Sequence, residues 1–155
     1  MAILVACLIT HALLAALIPS PWWVPDLTLG GLVLAILRRP HHWLGLAVAA
    51  GLFAVVWAVR FPRPVFVSYL VLGWTVQALA GYWDATDRWI QWVIASCASA
   101  VMTLGFLWLD DLWSLRLLGL AAVHVAITSL AVALVQHGLQ RARSVGLQGG
   151  RQRLS

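Results

Sequence analysis

An all-α polytopic membrane protein, a bundle of six transmembrane helices, is the fold class that three features of the sequence predict. Hydrophobic residues make up 63% of the chain and charged residues only 10%, with a mean hydropathy of +0.92, whereas soluble domains carry about 25% charged residues. The apolar residues fall into six runs separated by charged or proline-containing breaks, the punctuation expected between helices. Tryptophans and arginines concentrate at the ends of these runs, where lipid headgroups would lie. At about 20 residues per span, the length allows six spans and leaves no room for a separate soluble domain.

The first run, Ala2 to Ile18, closes at Pro19, Ser20 and Pro21. It lacks the basic n-region of a secretory leader and is read as a first span. The second, Val24 to His42, is the best-marked stretch of the chain. Pro25 is expected in the first helical turn, where its missing N–H has no partner to lose. Asp26 follows, placing a carboxylate at the positive end of the helix dipole. No charge interrupts Leu27 to Leu37; Arg38 and Arg39 mark the far end, and Pro40 stops the helix. The third run, Trp43 to Val59, ends at Arg60, Phe61, Pro62, Arg63 and Pro64, a break that no helix is expected to cross. The fourth runs from Val65 to Tyr82, followed by a polar loop with Asp84, Asp87 and Arg88. The fifth spans Trp89 to Leu109, Asp110 and Asp111 turn the chain, and the sixth runs from Trp113 to Gln136. A six-helix transmembrane domain over residues 1–136 and a poorly ordered basic tail over residues 137–155 follow from this parse.

Arginine counting orients it. With six spans, one face carries Arg38, Arg39, Arg88, Arg141, Arg143, Arg151 and Arg153, and the other Arg60, Arg63 and Arg116, so both termini are expected in the cytoplasm. The tryptophans agree: Trp22, Trp23, Trp57, Trp108 and Trp113 fall at the outer face, Trp43, Trp83, Trp89 and Trp92 at the inner one, and Trp74 in mid-membrane. The net charge of +5 is therefore explained by topology. No basic stripe interleaved with aromatics suggests nucleic-acid binding. Cys7 and Cys97 lie in apolar runs without CxxC spacing and are expected as small core residues.

No catalytic motif stands out. HExxH, GxSxG and Gly-rich phosphate loops are missing from the sequence, as is glutamate. His41 and His42 are adjacent and diverge, unlike an i, i+4 metal pair. The expectation is a protein that is not an enzyme and has no metal or cofactor. Polar residues near the middle third of their spans include His11, Gln77 and His124, which either hydrogen-bond between helices or line an interior pocket with Trp74 and Thr75. Ala50, Ala54 and Ala58 recur every four residues in the third run. They form a small-residue face suited to close helix approach, within the chain or against a partner.

The order proline, acidic residue, leucine-rich span, proline and histidine in PDLTLGGLVLAILRRPHH resembles the second membrane helix of the rod shape-determining protein MreD family. A short first span, the glycine-containing third span GLAVAAGLF, Gly81 and Tyr82 closing the fourth, and a basic tail extend the likeness over nearly the whole chain. The chain departs from it at Val55 to Arg60, where the family commonly has an acidic residue. The resemblance implies a non-catalytic scaffold subunit of the bacterial cell-elongation complex for peptidoglycan synthesis, located in the inner membrane. Its implied partners are MreC, with its single membrane helix, and the RodA glycosyltransferase with its transpeptidase. The family's six-helix fold is similar to the substrate-binding subunits of energy-coupling-factor vitamin transporters. That similarity supplies a second reading, a small-molecule substrate-binding subunit of a membrane transporter.

Overall fold

The computed structural model describes residues 2–58, 62–83, 87–109 and 114–151, without the side chains of Trp57 and of 142–151. Expectations on Arg60, Phe61, Asp84, Asp110, Asp111, Trp113 and Arg153 lie outside these residues. Among them the chain is all-helical: α1 Ala2–Leu17, α2 Leu27–Arg38, α3 Trp43–Trp57, α4 Pro62–Leu79, α5 Arg88–Leu109 and α6 Leu115–Arg151, with single 3-10 turns at Pro21–Trp23 and Pro40–His42 flanking α2. Two stretches are long and apolar enough to cross a membrane, Arg88–Leu109 and Leu115–Arg141. Ala2–Leu17 and Pro40–Val56 are apolar but shorter.

The bundle is built around α2, whose residues from Leu27 to Leu37 are all buried and which touches each of the other five α-helices. Missing side chains make this possible. A Cβ on Gly31 would sit 2.6 Å from Cys7 Cβ of α1, and one on Gly30 would sit 2.6 Å from Val132 Cγ2 of α6. Both distances are far inside carbon–carbon contact, so each glycine sets how closely its neighbour approaches. Gly73 of α4 meets Ala47 of α3 in the same way, at 2.7 Å.

Paired contacts give the helix directions. Gly30 lies against Val132, and one turn earlier on both helices Asp26 N–H donates to Thr128 Oγ1, so α2 and α6 run parallel. On α1 the partners ascend as those on α2 descend, Cys7 with Gly31 and His11 with Pro25, so these two are antiparallel. Trp92 with Ser129 and Gln91 with Gln136 make α5 and α6 antiparallel as well. The Pro21–Trp23 turn, Asp26, Ala58 and His124 therefore share one end of the bundle, and Arg88, Gln136 and Gln140 lie at the other.

Three boundaries differ from the sequence reading. Pro25 is not in the first turn; Asp26 is the N-cap and α2 starts at Leu27, because the Asp26 side chain takes the Leu29 N–H at 2.9 Å. Helix α4 includes Pro62 and Pro64, since residues of a first turn need no N–H partner. The stretch after Gln136, expected to be a poorly ordered tail, continues α6 to Arg151. No proline interrupts it, and Arg88 Nη1 donates to Gln140 Oε1 at 2.8 Å, tying the first turn beyond Gln136 to α5.

Candidate functional site

Asp26 lines a polar recess at one end of the bundle. Its carboxylate caps α2 through Leu29 N–H, and its own N–H donates to Thr128 Oγ1 of α6 at 3.0 Å. Tyr69 of α4, only 4% exposed, brings its hydroxyl to 3.4 and 3.5 Å from the two carboxylate oxygens. His124, one turn before Thr128, has Nδ1 3.4 Å from the Trp22 carbonyl oxygen and packs edge-to-face on the Trp22 ring, with centroids 6.3 Å apart. Asp26, Tyr69, Trp22 and His124, with Ala54, Ala58, Thr103 and Phe106, line a cavity of about 450 Å³. The small alanines leave the space; larger side chains would occupy it.

The sequence-predicted residues distribute unevenly around this recess. His124 lines it. His11 lies beyond it, its Nδ1 3.1 Å from the Pro25 carbonyl oxygen and its ring edge-to-face with Phe53 at 6.2 Å. Trp74 does not join an interior pocket: it is 60% exposed, because Gly73 and Val76 turn the inner face of α4 toward α3 and the core. Gln77 is half-buried and belongs to none of the cavities described here. Ala50 is fully buried, and Ala54 and Ala58 face the recess, so the small-residue stripe packs inside the chain rather than presenting an outer docking face. Cys7 is buried as expected, whereas Cys97 is exposed.

Two further recesses exist. Between α4 and α5 an apolar groove of about 580 Å³ runs from Val67 to Leu79 on one wall and from Val93 to Leu109 on the other. At the opposite end from Asp26, Arg88, Trp89, Trp92, Gln136 and His137 border a third, of about 530 Å³. There Trp89 stacks on Trp92 with centroids 5.0 Å apart, and the buried Gln136 donates to Gln91 Oε1 at 3.2 Å.

Tyr69, Thr128, Gln91 and Gln136 are the contributors that sequence reasoning missed. For Thr128 and Gln136 a signal was present on α6, where His124, Thr128 and Gln136 repeat at multiples of four and form one polar stripe. Among the described residues no group of three or more His, Cys, Asp or Glu side chains could hold a metal ion. No family model matches the chain, and no curated protein or solved structure matches it.

Proposed function

We propose that the chain is a membrane-embedded, non-catalytic scaffold subunit of the bacterial cell-elongation complex for peptidoglycan synthesis, of the MreD kind. In this reading all six helices are embedded in the inner membrane with both termini cytoplasmic, in a fold similar to energy-coupling-factor substrate-binding subunits. The apolar exterior supports it. Val5, Ile9 and Leu13 on α1, Val101 and Trp108 on α5, and Leu130 and Leu134 on α6 are all exposed, while Gln91, Thr128, Ser129 and Gln136 are buried. A soluble protein avoids so extended an apolar surface; a bilayer accepts it.

The observation that carries the scaffold role is the α4–α5 groove. Its α5 wall, Val93 to Leu109, extends about 24 Å at 1.5 Å per residue, most of the roughly 30 Å hydrocarbon thickness. Cys97, Val101 and Gly105 recur on it every four residues, and a Cβ on Gly105 would meet nothing within 4 Å. Such a wall admits the backbone of another helix. The occupant we assign is the single membrane helix of an MreC-type partner. A photoreactive amino acid at Val71 or Val101, both more than half exposed in the groove, should crosslink to a single-span protein in cells, and one at Ile9 of α1 should not. Equal crosslinking from all three positions would remove the assignment.

The transporter reading is favoured by a different feature, the open recess beside Asp26. Copurification separates the two: ATPase subunits would support transport, and a single-span periplasmic protein the scaffold.

A further inference from the structure

We infer that the cavity beside Asp26 binds a primary ammonium group carried on a small apolar body, either a free amine or the headgroup of an ethanolamine lipid. The inference holds under either functional reading and concerns a recess distinct from the α4–α5 groove, although Met102 and Phe106 border both.

It follows from where the protons of the lining side chains go. Tyr69 directs its hydroxyl at the Asp26 carboxylate. Thr103 donates its own to the Ser99 carbonyl oxygen at 2.8 Å. A carbonyl oxygen only accepts, so the His124 contact to Trp22 places a proton on Nδ1, and in the Nδ1–H tautomer Nε2 is the acceptor. The Asp26 oxygens accept from Leu29 N–H and the Tyr69 hydroxyl, and among the described residues Oδ2 meets only that hydroxyl. Apart from the Trp22 indole N–H, the polar side chains of the cavity therefore present acceptors. A ligand that satisfies them must bring donors.

Charge and shape narrow the class. The described lining contains no arginine, so a bound anion would face Asp26 with no fixed positive charge to offset it. A bare helix N-terminus attracts anions, but Asp26 already occupies that position and makes the local charge negative. Trp22, Tyr69 and Phe106 supply aromatic surface, which attracts cations. An ammonium group offers three donors and a positive charge, and Met102, Leu107 and Ala58 accommodate the carbons attached to it. The volume of about 450 Å³ lies within the range of small-ligand sites.

The test titrates n-butylammonium chloride into the full-length chain held in phosphatidylcholine nanodiscs, read by calorimetry. Saturable binding is expected. Asp26→Asn keeps a capping oxygen but loses the charge, and should weaken binding at least about tenfold. Ala58→Leu fills the cavity without altering charge and should abolish binding. Replacing part of the lipid by phosphatidylethanolamine distinguishes the sources: lowered apparent affinity for butylammonium identifies the lipid headgroup, and unchanged affinity a free amine. No saturable binding to the unmodified chain overturns the inference, as does undiminished binding to Asp26→Asn. If that variant does not fold, undiminished binding to Ala58→Leu overturns it alone.

Discussion

A double-mutant cycle on Gly30 and Val132 tests the contact that seats α6 on α2, one turn from the Asp26–Thr128 hydrogen bond. An alanine at position 30 would place its Cβ 2.6 Å from Val132 Cγ2, about 1 Å inside the optimum of roughly 3.5–4.0 Å. Val132 is 1% exposed and has nowhere to turn. Overpacking of this kind costs about 1–3 kcal/mol, offset by about 1 kcal/mol from the better helix propensity of alanine. Gly30→Ala is therefore expected to destabilise by about 0–2 kcal/mol. Val132→Ala removes two methyl groups from an enclosed position, at about 1–3 kcal/mol. In the double variant the new methyl enters the vacated space, so its loss should fall short of the sum by about 1–2 kcal/mol. Unfolding in mixed micelles titrated with dodecyl sulfate, followed by circular dichroism, supplies the four free energies. Gly119→Ala, with nothing within 4 Å of its Cβ, is the control and should stabilise by up to about 1 kcal/mol. Additivity within about 0.5 kcal/mol would refute the packing derived for α2 and α6.

Other perturbations probe the polar contacts by the same unfolding measurement. Thr128→Val leaves the Asp26 N–H without its 3.0 Å acceptor and should cost about 1–3 kcal/mol; an unchanged midpoint would contradict that bond. Asp26→Ala should cost about 1 kcal/mol through the lost cap while Asp26→Asn costs less, so equal losses would show that the cap is not what Asp26 contributes. Gln136→Leu removes the donor to Gln91 Oε1 and should cost about 1 kcal/mol; a double-mutant cycle with Gln91→Leu should show coupling between the two, and its absence would sink the pairing.

The sequence revealed the elements better than the site, and the difference has a physical cause. Each apolar run is long and is bounded by proline or charge, so Leu27 to Leu37 or Trp89 to Leu109 could be located from composition alone. Where two rules competed at a boundary, local hydrogen bonding decided: Asp26 took the capping position, and Pro62 and Pro64 were absorbed into the first turn of α4. Burial was harder to read, because α3 is apolar on every face and does not announce which side meets α4. The alanine stripe was recognisable as a packing surface, but only the position of Gly73 against Ala47 directs it inward. Trp74 was misplaced for the same reason. Tyr69 gave no signal, since an aromatic residue in an apolar run is ordinarily lipid-facing or core.

The recess beside Asp26 also has an origin in helix length. Helix α2 has 12 residues, about 18 Å at 1.5 Å per residue, whereas the 22 residues of α5 extend about 33 Å. A short helix at the centre of longer ones must end below the rim on at least one side. The residues around its N-terminal end bear this out: Ala58 follows the last turn of α3, Val65 belongs to the first turns of α4, and Phe106 and Leu107 to the last of α5, and all line the space beside Asp26. The Pro21–Trp23 turn bends the chain there, and Pro25 and Asp26 then start the helix. Lengthening α2 by one turn before Asp26 would move its cap about 5.4 Å toward the rim and reduce the recess, while the Gly30 and Gly31 contacts farther along α2 remain. The glycines thus set the packing of α2, and its short N-terminal side provides the cavity.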